Sequence, residues 1–451
     1  MNRHAPDLPL ACPPLTAPPL SNMKHVWMIN HYAEEPEGAG GTRHFSLAKY
    51  LPEFGWTASI IGASTEHLSG RQRLAAGEQA RLERFGGIPF LWLKTPTYSG
   101  NGPDRILNML TFTLRLLKPA NLSALERPDL IIGSSVHPFA AWAAMRLARR
   151  HGVPFVFEVR DLWPQALINM GRLKESSPSA HFLRRLEKSL YRAAERILVL
   201  WPNAGAYIQT LGIPPEKVIW LSNGIDVAEW PAEIPPARNE QFTLMYFGAH
   251  GGANGLDNVV RAMRLLEDHP RGSGIRLRLI GDGPQKADLR ALAKSLGVWN
   301  IAFEDPVPKS MIPELASQAD AFIFSLIDVP MFNYGISPRK LYDFMAAQRP
   351  VIFCCRAANN PVEEAGAGIT VAPGQPEELA EAILTLAATP QSEREKMGAA
   401  ARHHVEKHYA YHSLAERLAH TLDAAVHQRD ESGEPRIKRI LRGEPQTRSG
   451  S

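Results

Sequence analysis

Cysteine, net charge and long apolar runs are all scarce in this chain of 451 residues. Its three cysteines, Cys12, Cys354 and Cys355, form no CxxC pair and no zinc-binding spacing, which favours a reducing, cytoplasmic setting. The net charge of +4 excludes the global positive field that nucleic-acid binding favours. No apolar run reaches the roughly 20 residues that a membrane span needs, and the beginning lacks the order of a secretory signal. We therefore expect a soluble or surface-lying protein without a nucleic-acid partner, whose electrostatic function is local.

The length predicts two domains and tails, because one hydrophobic core rarely serves a chain of this size. Strand-like and helix-like segments alternate in each half of the chain, which predicts the α/β class with parallel sheets. Ligands of such sheets bind beyond the carboxyl ends of the strands. The predicted divisions are a disordered proline-rich arm (1–22), an N-terminal domain (23–222), a linker (223–240), a C-terminal domain (241–395), C-terminal helices (396–428) and a polar tail (429–451).

The segment NYGISPRKLYDFMAAQRPVIF carries the clearest functional pattern. Ser337 and Pro338 interrupt the preceding structure and begin a helix, whose free N–H groups and positive dipole end attract phosphate oxygens. Arg339 and Lys340 add two cations at that end, which favours a bound anion because like charge there lowers helix stability. Asp343 lies on the same face as Arg339 and is placed to accept a hydrogen bond from a ribose hydroxyl. The alternative is a capped helix with solvated basic residues.

Six motifs follow one another in an order that is similar to one enzyme family. The motifs are GGTRHFSLAKYL, DLIIGSSVHPFAAWAA, FVFEVRDLWPQAL, YFGAHGGANGLDNVV, LIGDGP and YGISPRKLYDFMAAQRPVI. Over roughly residues 24–425 the chain resembles the GT-B-fold, retaining glycosyltransferases of family 4, especially bacterial O-antigen and capsule enzymes of the N-acetyl-L-fucosamine transferase type. The resemblance implies two Rossmann-like parallel-sheet domains facing across a cleft. The N-terminal domain would hold the acceptor and the C-terminal domain the donor nucleotide.

The activity implied by the resemblance is hexosyltransferase-type sugar transfer with retention. The donor would be a UDP-sugar, with an N-acetylated amino sugar, and the acceptor a lipid-linked or other oligosaccharide in surface polysaccharide or O-antigen biosynthesis. No metal or other cofactor is expected, because cationic side chains and helix dipoles replace the divalent ion in this fold. A nucleotide-sugar epimerase and a non-catalytic nucleotide-sugar-binding protein are the alternatives. A dehydrogenase is disfavoured because GAGGTR misses the GxGxxG spacing.

The donor site departs from the family pattern at particular positions. Asp343 matches the second acid of the family's E-x7-E motif, but Gly335 stands where the first acid belongs. Ala249 and Asn254 stand where many members carry phosphate-binding arginine and lysine, so the basic pair at the helix start is expected to neutralise the diphosphate. The predicted donor-binding residues are Gly40, Gly41, Gly248, Gly281, Val307, Ser337, Pro338 and Asp343, with Arg339 and Lys340 assigned to catalysis.

On the acceptor side, Asp161 follows the strand FVFEV and is assigned to catalysis, holding an acceptor hydroxyl. Arg160 would steer an acceptor phosphate, and His137 follows another strand and would face the same cleft. In this family the leaving phosphate oxygen is thought to take the acceptor's proton, so no dedicated base is required. The alternatives are a salt-bridged strand end and a structural histidine. The loop at Gly40 and Gly41 would approach the diphosphate closely, or serve only as a βα turn.

A peripheral position on the inner face of the cytoplasmic membrane is a further hypothesis. RILNMLTFTLRLLK (105–118) has more apolar residues than one core-facing stripe needs, so this helix could lie in a lipid interface. Glu187 and Glu195 interrupt a basic cluster and favour a solvated helix face there over contact with lipid head groups. The basic residues of that helix are Arg184, Arg185, Lys188, Arg192 and Arg196.

Overall fold

The computed structural model describes residues 23–38, 42–67, 69–100, 102–135, 137–169, 171–235, 237 and 239–430. The predicted disordered arm and nearly all of the predicted polar tail lie outside the described residues, and both stay predictions. Among the helices that the structure describes, none combines the length and the apolar character that crossing a bilayer requires.

The N-terminal domain contains one sheet with helices on both faces. Its strands are β1 (Lys24–Ile29), β2 (Trp56–Ala63), β3 (Ala80–Phe85), β4 (Ile88–Leu93), β5 (Leu130–Ser135), β6 (Phe155–Val159), β7 (Arg196–Val199) and β8 (Val218–Trp220). Its helices are α1 (Arg43–Tyr50), α2 (Pro103–Leu116), α3 (Pro119–Leu122), α4 (Pro138–His151), α5 (Gln165–Asn169), α6 (Pro178–Ala193) and α7 (Ala204–Thr210). The strand order is β3-β4-β2-β1-β5-β6-β7-β8.

The C-terminal domain contains a second, wholly parallel sheet. Its strands are β9 (Phe242–Phe247), β10 (Ile275–Ile280), β11 (Ile301–Glu304), β12 (Ala321–Ser325), β13 (Val351–Cys354) and β14 (Gly368–Val371). Its helices are α8 (Leu256–Glu267), α9 (Lys286–Leu296), α10 (Ile312–Ser317), α11 (Arg339–Ala346), α12 (Pro361–Ala365), α13 (Pro376–Ala388) and α14 (Gln391–His408), and the chain then returns to the N-terminal domain with α15 (Tyr411–Asp430). The strand order is β11-β10-β9-β12-β13-β14.

Two buried layers fix the N-terminal sheet. On one face, α2, α4, α6 and α7 cover the sheet, and on the other α1 and α15 cover it. Strands β1, β5 and β6 are almost entirely buried. They read as continuous apolar runs because a parallel strand is covered on both faces.

The edge strand β3 is not parallel to its neighbour, unlike the strands that the sequence predicts. It pairs antiparallel with β4, and Gly86 and Gly87 form the turn between them, with φ of 54° and 83°. Antiparallel strands accept such a two-residue turn, whereas parallel strands need a long crossover. The pattern of β3 is weak because each of its residues remains at least partly exposed.

The chain crosses between the domains twice, and the two crossings are hydrogen-bonded together. Ile225 N–H donates to Tyr409 O (2.9 Å), and Tyr411 N–H donates to Ile225 O (2.9 Å). Beyond Tyr411, α15 packs on the N-terminal domain, where Lys24 Nζ pairs with Asp423 (2.7 Å). The predicted C-terminal helices therefore serve different domains: α14 packs on the C-terminal core and α15 on the N-terminal one.

Candidate active site

Lys340, in the first turn of α11, lies at the carboxyl ends of β9 and β12. Its Nζ donates to the Tyr246 hydroxyl (3.0 Å) and to Asn254 Oδ1. The same nitrogen lies 4.8 Å from the centre of the Tyr246 ring and 5.5 Å from that of Phe324. Burial lowers the pKa of Lys340 to about 7. The ammonium is thus held under aromatic rings, where a bound anion would raise its pKa again.

The start of α11 faces the N-terminal domain directly. Arg339 Nη1 donates to Thr42 Oγ1 (3.1 Å), and Thr42 is the residue that precedes α1. One residue before the helix cap Pro338, the Ser337 hydroxyl accepts from the N–H of Asn223 (2.7 Å). The bond to Thr42 joins the two walls of the predicted cleft at the predicted donor site, and the bond from Asn223 ties the predicted linker to the same place. Gly40 and Gly41, predicted to contact the same diphosphate, lie outside the described residues.

Gly248 and Gly281 directly follow β9 and β10, and Gly248 lies beside the Lys340 side chain. Their φ values are 140° and 141°, a backbone region that side chains other than glycine rarely adopt. A Cβ at Gly281 would lie 2.0 Å from the Gly248 carbonyl oxygen, and one at Gly248 would lie 3.6 Å from Lys340 Cδ. Only backbone of this kind lets the two strand ends touch. Val307, also predicted at the donor, follows β11 and packs against the edge of the C-terminal core.

Asp343 lies one helical turn after Arg339 and is half-buried. Burial raises the pKa of Asp343 to about 6, against the opposing charges of Arg339 and Lys309. The carboxylate is therefore largely ionised at neutral pH and able to accept a hydrogen bond from a sugar hydroxyl.

The surroundings of Gly335 leave no room for a side chain. Its φ of 108° is a region that favours glycine. A Cβ there would lie 2.5 Å from Pro202 Cδ and 2.8 Å from Asn359 Oδ1. The same Asn359 oxygen accepts from the N–H of Ile336 (2.7 Å), which fixes the backbone before α11. A larger side chain at this position, such as the glutamate that the resemblance implies, would collide with Pro202 in this structure.

Substituting Gly335 by alanine is expected to damage both stability and donor binding. The added methyl meets Pro202 and Asn359, and overpacking of this kind costs about 1–3 kcal/mol. Gly374→Ala is the matched control, because its φ is also positive, at 74°, while a Cβ there meets nothing within 4 Å. Thermal unfolding and UDP titration of both variants check this. Equal melting temperatures in the two variants would show that the Pro202 contact is unimportant.

A buried ionic cluster lies beneath the end of β6, on the predicted acceptor side of the cleft. Glu158 accepts hydrogen bonds from Arg43 Nε (2.9 Å) and the Ser134 hydroxyl (2.6 Å), and bonds His44 Nε2 (2.8 Å). All these side chains are buried. Burial opposes ionisation of Glu158, but the His44 and Arg43 charges hold its pKa well below its usual range. Arg43 also donates to the carbonyls of Leu221 and Ser222, so the cluster ties α1 and β6 to the segment entering the linker.

Arg160 and Asp161 follow this cluster at the carboxyl end of β6, and both are half-buried. The Arg160 N–H donates to Ser135 Oγ (3.2 Å) at the end of β5. The Arg339 charge helps to lower the pKa of Arg160, after the larger effect of burial, so the two predicted halves of the site interact electrostatically. Burial raises the pKa of Asp161 to about 6, with Arg160 and Arg105 opposing the shift.

His137 is wholly buried and caps α4. Its Nδ1 accepts from the N–H of Ala140 (3.3 Å), and its Nε2 bonds His31 Nδ1 (2.8 Å). His31 in turn bonds Asn108 Oδ1 through Nε2 (2.6 Å), and burial lowers the pKa of His31 to about 3. One chain of donors from His137 to Asn108 satisfies every ring nitrogen. Contact of His137 with an acceptor stays a prediction, to which the burial of the ring gives no support.

Tyr246 and Thr42 are site residues that the sequence did not indicate, and Asn254 was expected in the donor site but not as a partner of Lys340. Tyr246 and Asn254 hold Lys340, and Thr42 meets Arg339 across the domains. Lys340 and Asn254 are 86 positions apart, so no spacing rule could pair them. Within the described part of the chain, no group of three or more His, Cys, Asp or Glu side chains is placed to hold a metal ion.

Two family profiles match the chain, one for each domain. Residues 38–224 match the family described as glycosyl transferase 4-like domain. Residues 241–389 match the family described as glycosyl transferases group 1. Residues 225–240 separate the two matches.

Two curated relatives that the chain resembles come from bacteria. The chain is 23% identical over 330 residues to the probable glycosyltransferase WbjE of Pseudomonas aeruginosa, covering 70% of this chain and 79% of the relative. It is also 23% identical over 281 residues to the putative colanic acid biosynthesis glycosyl transferase WcaI of Escherichia coli K12, covering 59% of this chain and 67% of the relative.

Solved structures share the fold over nearly the whole chain. Sucrose-phosphate synthase from Thermosynechococcus elongatus superposes with a TM-score of 0.66 at 16% identity, covering 91% of this chain and all of that one. Anabaena HepE, solved in complex with UDP-glucose, gives 0.61 at 15% identity and covers 89% of this chain and 99% of its own. The predicted GT-B fold of two Rossmann-like domains is confirmed.

Proposed function

Since the chain is a hexosyltransferase-type glycosyltransferase of the GT-B fold, made of a 4-like and a group 1 domain, we propose that it uses a UDP-sugar donor. The sugar, an N-acetylated amino sugar, passes with retention of anomeric configuration to a lipid-linked or other oligosaccharide acceptor. The product belongs to a surface polysaccharide, in line with the naming of the relative WcaI as a putative colanic acid biosynthesis glycosyl transferase. The amino-sugar assignment rests on the motif resemblance alone.

The main support for this proposal is the cationic start of α11, which faces the other domain. Arg339 reaches Thr42 across the cleft, and Lys340 lies at the ends of β9 and β12. Negative charge grows on the departing diphosphate during glycosyl transfer, so fixed cations and N–H donors at that point lower the barrier. Arg339 offers a planar fork to two phosphate oxygens, and Lys340 a movable point charge. HepE, whose structure holds UDP-glucose, provides the precedent for this class of donor on this fold.

The proposed reaction breaks the bond between the sugar C1 and the diphosphate oxygen. The acceptor oxygen forms its bond to C1 on the same face, and the acceptor's proton passes to the leaving phosphate oxygen. Arg339 and Lys340 neutralise the charge that develops on that diphosphate. Asp343 holds the donor ribose, while Asp161 orients the acceptor hydroxyl and Arg160 an acceptor phosphate. No divalent ion is part of this proposal, because the cations of α11 take that role.

A cytoplasmic site of action is part of the same proposal. Cys354 and Cys355 are buried as free thiols next to each other in the C-terminal core. Free cysteines of this kind are typical of proteins in a reducing compartment.

The pH dependence of the reaction is expected to have an alkaline limb set by Lys340. The cation is present below the pKa of about 7 in the free protein and is lost as the pH rises through that value. Because kcat/KM reports the free enzyme, its value for the donor should fall above about pH 7. The bound diphosphate raises the pKa of Lys340, so kcat should fall only at higher pH. Steady-state rates across pH measure both, and an alkaline limb that persists in Lys340→Met would contradict the assignment.

Product analysis tests the proposed function. The protein is incubated with UDP-N-acetylhexosamines and a lipid-linked oligosaccharide extract in the presence of a chelator, and the product is examined by NMR. We expect the new glycosidic bond to keep the donor's anomeric configuration. An inverted linkage would overturn the retaining mechanism. Epimerised UDP-sugar without transfer would overturn the function itself.

A further inference from the structure

The exposed faces of α2, α4 and α6 lie side by side on the N-terminal domain. Helix α4 packs between α2 and α6, and all three cover the same face of the sheet. We propose that this surface docks on an anionic phospholipid bilayer, by an apolar stripe on α2 and a basic groove between α4 and α6. The apolar stripe consists of Ile106, Leu107, Leu110 and Leu114. The basic groove is lined by Arg149, Arg185, Lys188 and Arg192.

The apolar stripe is more exposed than a domain's own packing requires. The side chains of Ile106, Leu107, Leu110 and Leu114 are 55%, 57%, 41% and 64% exposed. The opposite side of α2 already packs in the core through buried residues such as Phe112. Ile106, Leu110 and Leu114 are spaced four residues apart and Leu107 lies beside Ile106, so the four side chains form one face rather than scattered positions. A helix that is apolar on both sides, at the surface of a domain, indicates a second apolar environment.

No carboxylate from α4 or α6 lines the basic groove. Helix α4 reads PFAAWAAMRLARRH and contains no acidic residue. On α6 the intervening Glu187 points inward, where it is buried and accepts from the Tyr207 hydroxyl (3.0 Å). Glu187 therefore does not interrupt the exposed basic face of α6, and Glu195, the other acid of this stretch, lies beyond the end of the helix at Ala193. The remaining cations face outward together and complement the phosphates of anionic lipid head groups.

A bilayer suits this surface better than a folded protein partner does. The stripe consists of aliphatic side chains without the central tryptophan, tyrosine or arginine that anchors protein interfaces. Stable attachment to a membrane typically needs two weak signals, and this face offers both apolar insertion and a cluster of cations. Each cation near an anionic surface adds to the attraction, so four of them reinforce a shallow insertion.

The first turn of α2 also connects this surface to the acceptor end of the cleft. Arg105 Nε donates to the Tyr32 hydroxyl (2.9 Å), and the Arg105 charge acts on Asp161. Docking through α2 would hold Asp161 near the bilayer plane, where a lipid-linked acceptor presents its sugar. This last step rests on the proposed function, whereas the docking itself does not.

Co-sedimentation of the full chain with vesicles tests the proposal. We expect binding to vesicles containing phosphatidylglycerol at low salt, and none to pure phosphatidylcholine. The double variants Leu107→Ser/Leu110→Ser and Arg149→Glu/Arg185→Glu should each weaken binding at least about tenfold. The matched controls are Trp299→Ser, whose side chain is 84% exposed on the other domain, and the exposed Arg271→Glu. Both controls should bind like the unaltered chain.

UDP titration of every variant separates the docking surface from the donor site. Unchanged UDP affinity in the α2 and groove variants shows that they fold, and loss of vesicle binding in them then supports the surface. Absence of UDP binding in all proteins would end the proposed function without touching the docking result. Vesicle binding that is absent, or insensitive to the α2 substitutions, would overturn the docking proposal. So would a dimer in light scattering that the α2 substitutions dissociate, because the surface would then belong to a second copy.

Discussion

Lys340→Met is expected to lower kcat for sugar transfer about 10²- to 10³-fold, the usual effect of removing one preorganised charge-stabilising group. Methionine fills the space of the lysine stem but supplies no charge. Its contacts with the Tyr246 and Phe324 rings remain apolar, so the fold should tolerate the change. The loss should fall mainly on kcat, because the diphosphate gains most of its charge in the transition state.

The control for this prediction is Lys294→Met. Lys294 is exposed in the last turn of α9, so its removal alters net charge equally without changing the site. Steady-state kinetics with a UDP-sugar measure both variants at a pH below 7, where Lys340 carries its charge. If Lys340→Met turns over as fast as Lys294→Met, the catalytic assignment of Lys340 is wrong.

Arg43→Met is expected to destabilise the N-terminal domain by about 3–5 kcal/mol, because it leaves the Glu158 carboxylate buried without its cation. Arg43 also donates to the carbonyls of Leu221 and Ser222, and these acceptors lose their partner as well. A large fall in the unfolding midpoint should therefore accompany the substitution. Since the cluster lies directly beneath Arg160 and Asp161, any folded fraction should also bind acceptor weakly.

An exposed ion pair on the same domain provides the comparison. Arg71 pairs with Glu66, and the Arg71 side chain is 66% exposed. Solvent screens such a pair, so Arg71→Met should change stability by less than about 1 kcal/mol. Thermal and denaturant unfolding of the two variants give the contrast. Equal midpoints would show that the cluster around Glu158 contributes no more than a surface pair.

Local chemistry made the start of α11 predictable from the sequence. Pro338, the adjacent cations and Asp343 all lie within one helical turn and its cap, so their relation is fixed by helix geometry alone. The alternation of strands and helices likewise predicted both sheets, because each repeat buries its strand between helices. The sequence did not predict the edge hairpin, because every residue of β3 stays partly exposed and the strand shows no clear alternation of buried and exposed residues.

Contacts between distant parts of the chain account for what the sequence could not predict. Glu158 meets Arg43 across 115 positions, and Arg339 meets Thr42 across 297. His137 follows a strand end, as predicted, but its ring turns inward to cap α4, and nothing in the local pattern distinguishes these orientations. The sequence also carries no sign that Pro202, from the other domain, occupies the space that a side chain at position 335 would need.

We propose that the start of α11 binds the nucleotide of a UDP-sugar without a metal ion. Calorimetric titration of the intact protein with UDP, GDP, ADP, dTDP and NAD, in the presence of a chelator, measures this binding. We predict selective binding of UDP that is weakened in Lys340→Met and retained in Lys294→Met. Preference for NAD, no nucleotide binding at all, or equal UDP affinity in both variants would contradict the donor site described for this cleft.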